Sequence, residues 1–151
     1  MGAAASWGDF AAAAPEIAER GAALFRKGIA YIGTVAADGS PRVHPVTPII
    51  GEGRLFLFME PASPKGHDLR ANPRYALHSL VSDQHGSPGE FSIAGRATPV
   101  TGASVRRTAV AAAPYSPEDR YVLFELDVQE ALGTIYEGKR PVRRRWSPPS
   151  A

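Results

Sequence analysis

The stretch from Ile32 to Ser79 reads IGTVAADGSPRVHPVTPIIGEGRLFLFMEPASPKGHDLRANPRYALHS, and its punctuation decides the fold. Residues 29–36 (IAYIGTVA) follow a period of two, the mark of a strand with one buried face. Asp38-Gly39 is a strong hairpin signal, and RVHPVTPII (42–50) returns as a second strand. Pro45 and Pro48 each remove a ladder donor, so this strand is expected to be bulged or to lie at an edge. Gly51-Glu52-Gly53 turns the chain into a third strand, RLFLFME (54–60). PASPKGHDLRANPR (61–74) then supplies a loop and a short helix that Asn72-Pro73 closes. YALHSLV (75–81) is the fourth strand.

Working outward, Ser6 with Asp9 three residues later has the form of a capping box and opens a short helix that carries Trp7 and Phe10. Pro15 suits the first position of a second helix. Glu16 and Glu19 favour its positive end and Arg26 and Lys27 its negative end, before Gly28 stops it. The expected buried stripe is Ile17, Gly21, Leu24 and Phe25. Downstream, EFSIAGRATPV (90–100) is a fifth strand with Gly95 as an expected bulge, and residues 102–112 form a small-residue helix. YVLFELDV (121–128) and LGTIYEG (132–138) complete the sheet. Six or seven short strands with three or four helices, linked by hairpins rather than crossover helices, predict an antiparallel barrel of the α+β class. With no internal repeat and no long linker, residues 1–151 are expected to form one domain.

Composition agrees. The 151 residues are 44% hydrophobic and 21% charged, which suits a packed core and argues against disorder. The 15 Gly and 14 Pro are too many for a helical bundle or coiled coil. No run approaches the roughly 20 apolar residues of a membrane span, and the Ala-rich start lacks the n- and h-regions of a signal peptide, so a cytoplasmic location without membrane contact is expected. The chain has no cysteine, which removes disulfides, zinc fingers, iron–sulfur clusters and thiol nucleophiles. The net charge of +2 conceals an asymmetry: Lys139, Arg140, Arg143, Arg144 and Arg145 lie within seven residues, leaving 12 basic against 15 acidic residues elsewhere. Residues 139–151 are read as a basic C-terminal tail. It is either a solvated end or, with Trp146, a segment that closes over a cofactor or an anionic substrate. Arginines with one aromatic are weak grounds for nucleic-acid binding.

Few constellations carry chemistry. His44, His67, His78 and His85 have no metal-ligand spacing, so no metal is expected. There is no glycine-rich nucleotide loop, and His44 has no Ser and Asp partners that would make a triad. No catalytic acid or base is identifiable. In ASPKGHDLR, Ser63, Lys65 and the free amides of a helix start converge as phosphate-binding groups, or Ser63 simply caps the helix. Arg42, His44 and Val46 share one side of their strand, which leads towards this loop, so Arg42 and Lys65 are candidates to meet at one anion.

From about Ile29 to Val81 this ordered set resembles the pyridoxamine 5′-phosphate oxidase-like family of flavin-binding split barrels. The shared features are the DG hairpin, the PR strand start, the aromatic third strand, the Ser-x-Lys loop and the NPR that ends the helix. Weaker similarity continues through IAGRATPV and LFELDV. The resemblance implies a homodimer of six-stranded split barrels with short flanking helices, holding FMN, or in a related branch a deazaflavin, across the dimer interface. Carried over by position, Arg42 is the phosphate-binding Arg, and Val43, His44, Pro45 and Val46 form the strand whose backbone edges the flavin ring. Met59 and Glu60 end the third strand beside the ring, and Ser63 and Lys65 form the phosphate loop. Pro64 stands where the oxidase has a second Arg, and Glu90 falls near a Gln that helps hold the flavin. The oxidase is also longer and ends in an Arg and His pair, where this chain has YEGKRPVRRRW. The implied function is therefore a flavin-dependent oxidoreductase of unidentified small-molecule substrate, working by hydride transfer through flavin N5. The alternatives are a deazaflavin-dependent reductase, or a flavin- or haem-binding module without turnover.

Overall fold

The computed structural model describes residues 3–85 and 89–150. The elements are α1 (Trp7–Ala13), α2 (Pro15–Phe25), β1 (Ala30–Val35), β2 (Pro41–Val46), β3 (Ile49–Gly51), β4 (Arg54–Met59), α3 (Pro64–Ala71), β5 (Arg74–Ser79), β6 (Glu90–Pro99), α4 (Ala103–Ala112), β7 (Val122–Leu126), β8 (Glu130–Glu137) and β9 (Arg140–Trp146). All strand pairings are antiparallel. The α+β split-barrel class stands, with nine strands where six were expected. The order is β2-β1-β5-β6-β7-β4-β3, with β8 added to β6 and β9 to β8.

Two of the extra strands have local causes. RVHPVTPII lies at the sheet edges, as expected, but as two strands and not one: β2 pairs with β1, and after Thr47-Pro48 the chain moves to the other half of the sheet, where β3 pairs with β4. A proline cannot donate to a ladder, and this one marks the change of partner. The segment read as a basic tail is mostly strand. Arg140–Trp146 pairs with β8 along its whole length, from Glu137↔Arg140 to Ala131↔Trp146. Arginines on an edge strand deter pairing with another chain, which is why the segment carries so little apolar pattern.

Strand β6 divides the barrel. Its first half lies between β5 and β8, whereas Ala97–Pro99 pair with β7. Gly95 sits at the switch, but its register with Tyr75 runs through without the expected bulge. A Cβ there would fall 2.4 Å from Asp127 Oδ1 and 2.5 Å from the Asp127 carbonyl oxygen, so glycine is required by the close approach of the β7–β8 turn. That turn is fixed by Arg96 N–H donating to Asp127 Oδ1 (2.7 Å) and Tyr75 O–H donating to the Asp127 carbonyl (2.6 Å).

The core has two parts. In the larger, α1 and α2 lie over the sheet. The Ser6–Asp9 capping box forms as read, and Trp7, Phe10, Phe25, Phe91 and Trp146 meet with ring centroids 5.1–6.1 Å apart. Ile17 is only half-buried, and Ala18 and Ala22 join Gly21, Leu24 and Phe25 in the buried stripe. In the smaller part, α4 places Ala109 against Ile49, Phe56, Phe58 and Leu123. β4 is therefore covered on both faces within one chain. The exposed large apolar side chains lie elsewhere, with Tyr31, Val43 (71% exposed), Leu80 and Val81 among them. Among the described residues no helix is long and apolar enough to cross a membrane.

Candidate functional site

A cleft of about 250 Å³ opens where the end of β2, the end of β4 and the start of α3 converge. It is lined by Pro45, Val46, Thr47, Phe58, Met59, Glu60, Lys65, Tyr115 and Tyr121. Five of the residues singled out from sequence meet there: Pro45, Val46, Met59, Glu60 and Lys65. Buried Val46 and Met59 supply an apolar floor, and Lys65 supplies a cation from the first turn of α3. Larger hollows exist. One of about 390 Å³ near Thr98 carries Glu125 and Asp127 and no cation, and one of about 460 Å³ lies at Gln84, His85, Tyr136, Gly138 and Lys139. Neither gathers the residues expected to bind an anion.

Beside the cleft, the inner face of β1 and β2 carries a polar network. Thr34 is the cross-strand partner of Arg42 and lies diagonal to His44, so all three side chains share a face. Thr34 Oγ1 donates to Asp68 Oδ2 (2.8 Å), and Arg42 Nε lies 3.1 Å from the same oxygen. Thr34 Oγ1 is also 3.3 Å from His44 Nε2. The hydroxyl has one proton and gives it to the carboxylate, so it accepts from the imidazole, and the proton of neutral His44 is assigned to Nε2. Burial chiefly, with help from the Lys65 charge, pushes the His44 pKa down; Asp68 opposes the shift and Arg42 adds to it. Arg42 and Lys65 thus both act on one imidazole, while only Lys65 of the two lines the cleft itself.

The other expected site residues are placed differently. Ser63 is the N-cap of α3, its Oγ accepting from Gly66 N–H at 3.2 Å, which is the capping reading. Its own O–H proton remains available to a ligand. Val43 points to the outer face of β2, away from Arg42 and His44, so only its backbone can serve an edge contact. Glu90 begins β6, accepts from Tyr136 O–H (3.3 Å) and does not line the cleft. Trp146 packs on Phe10, not over the cleft, and Arg145 pairs with Glu130.

Sequence reasoning missed Asp68, Thr34, Arg120, Tyr115 and Tyr121. The last three come from the α4–β7 connection, which Arg106 fastens by donating to the carbonyls of Tyr121 (2.9 Å), Asp119 (3.2 Å) and Glu118 (3.3 Å). Arg120 then grips both oxygens of Glu60, with Nε donating to Oε2 at 3.3 Å and Nη2 to Oε1, and lies over the Tyr121 ring. Both phenols line the cleft, and burial, then the neighbouring Tyr121, raise the Tyr115 pKa, so Tyr115 is protonated at neutral pH. Tyr115 and Arg120 lie in PYSPEDR (114–120), which carries no periodic signal, and Tyr121 reads only as the start of a strand.

The family model for pyridoxamine 5′-phosphate oxidase matches residues 18–134. The chain belongs to this family. Three solved structures illustrate how the oxidase-family fold is shared. A haem-binding protein from Mycobacterium smegmatis is 19% identical with a TM-score of 0.62, covering 78% of this chain and 52% of its own. This chain therefore spans about half the length of that neighbour. A NimC/NimA family protein from Clostridium acetobutylicum is 19% identical with a TM-score of 0.63, covering 85% and 91%. A protein from the same organism related to general stress protein 26 of B. subtilis, of the pyridoxinephosphate oxidase family, is 12% identical with a TM-score of 0.62, covering 84% and 92%. At these identities the likeness concerns the fold. No curated protein matches the chain.

Proposed function

We propose that this member of the oxidase family is a homodimeric, cytoplasmic, FMN-dependent oxidoreductase acting on a small molecule. The observation that carries the reading is the placing of two cations at and beside a cleft with a polar rim and an apolar floor, at the end of an edge strand. The Lys65 ammonium stands at the cleft, and the half-exposed Arg42 guanidinium lies beside it, both acting on His44. Lys65 at the cleft, with the Nη donors that Arg42 keeps free of Asp68, favours a ligand that brings negative charge, as the phosphate of FMN would. The donor set fits the cofactor. Arg42, Lys65 and the Ser63 hydroxyl suit the phosphate, Val46 and Met59 suit one side of a flat ring, and the outer edge of β2 has no strand partner among the described residues, which leaves backbone groups for polar ring atoms.

When bound, the flavin supplies the redox chemistry by accepting or delivering a hydride at N5, while the chain's own groups bind and orient it. About 250 Å³ is below the roughly 300–1,000 Å³ usual for a ligand pocket, so the cleft of one chain supplies only part of the enclosure. A second copy supplies the other wall in this reading. The apolar β4 strand offers no face to that second copy, because it is buried within the chain. The exposed apolar residues left for the interface include Ile29, Tyr31, Val43, Leu80 and Val81.

Titration of the purified protein with FMN tests the phosphate assignment. Lys65→Ala removes a charge-assisted contact of about 1.5–3 kcal/mol, so its Kd for FMN should rise about tenfold to a hundredfold with the fold intact. An unchanged Kd in a folded variant would refute it.

A further inference from the structure

We infer that Asp68 is a positioning residue that aims Arg42 at the anion in the cleft. The inference rests on the phosphate-binding reading above and extends it to a carboxylate that reading does not use. Asp68 lies on α3 one turn after Lys65 and is only 4% exposed. A carboxylate so deeply buried is costly unless paired and hydrogen-bonded, and a well-packed apolar residue would have cost the fold less. Its partners are buried Thr34 at 2.8 Å and the Nε edge of Arg42 at 3.1 Å, while the Arg42 side chain remains 44% exposed. A guanidinium is a rigid planar fork. Anchoring it at Nε fixes the plane and leaves its Nη donors for a ligand.

Thr34 in turn ties the carboxylate to His44, so three elements, β1, β2 and α3, hold one guanidinium in place. The same carboxylate balances the charge of Arg42 beside Lys65 while no anion is bound. These two roles have opposite signs in an experiment. Removing the Asp68 charge would strengthen anion binding if the carboxylate were only a counter-charge, and would weaken it if its task is to aim Arg42.

The test compares FMN with riboflavin, which lacks the phosphate, on wild type and Asp68→Asn. Positioning predicts that the variant loses about fivefold to tenfold in FMN affinity while riboflavin binding stays as it was, so the preference for the phosphorylated ligand shrinks. Thr34→Val keeps every charge but unties the carboxylate, and it should show the same selective loss; it decides the matter should Asp68→Asn not fold. FMN affinity that rises or is unchanged, or a parallel loss of both ligands, overturns the inference. A wild-type protein that binds FMN no better than riboflavin removes the phosphate reading itself, and the inference with it. That outcome is distinct from a wild-type preference that Asp68→Asn leaves untouched.

Discussion

At the scale of single residues, His44 reports on the proposed anion site. Its imidazole is pushed below the ordinary value of 6.5 first by burial and then by Lys65, and it stays neutral at physiological pH. Because the folded pKa is depressed, the unfolded chain takes up the proton first as pH falls. The His44 contribution is therefore fully favourable above about 6.5 and is lost through the window below it. An NMR titration of the imidazole should give a midpoint below 6.5, and His44→Gln should flatten the fall in stability measured by urea unfolding just under that pH. A midpoint at or above 6.5 would contradict the geometry. Arg42, His44 and Lys65 were legible because strand periodicity and a Ser-Pro-Lys helix start are local signals. Asp68 was not, since an acidic residue in a short polar helix reads as solvent-facing, and only tertiary packing turns it under β1 and β2.

At the scale of elements, α1, the β1–β2 hairpin and β4 could be read from capping, turn and alternation rules, all of which act within a few residues. The split of RVHPVTPII and the existence of β9 could not, because both depend on which distant strand is met. RPVRRRW offers only Val142 and Trp146 as apolar residues, and an edge strand needs no more. Trp146 separates the two accounts of this segment. Packed on Phe10 and half-buried, it should cost about 1–3 kcal/mol when changed to Ala, measured by urea unfolding, with FMN affinity unaltered. A variant of unchanged stability that has lost its flavin would return Trp146 to the cofactor.

At the scale of the molecule, the branching at Gly95 shapes the site. Because β6 leaves β8 for β7 there, the barrel opens into two half-sheets, and the chain crosses between them at Thr47-Pro48, beside the cleft. The same opening leaves the outer face of β1 and β2 with exposed Tyr31 and Val43, and leaves the cleft too small to enclose a flavin alone. Cofactor and partner are thus two parts of one expectation, and one experiment reads both. Native mass spectrometry of the purified protein, incubated with FMN and with the released ligand weighed in the same run, should find two chains carrying two FMN molecules. A single chain that retains no FMN, or a deazaflavin or haem in its place, would contradict the account.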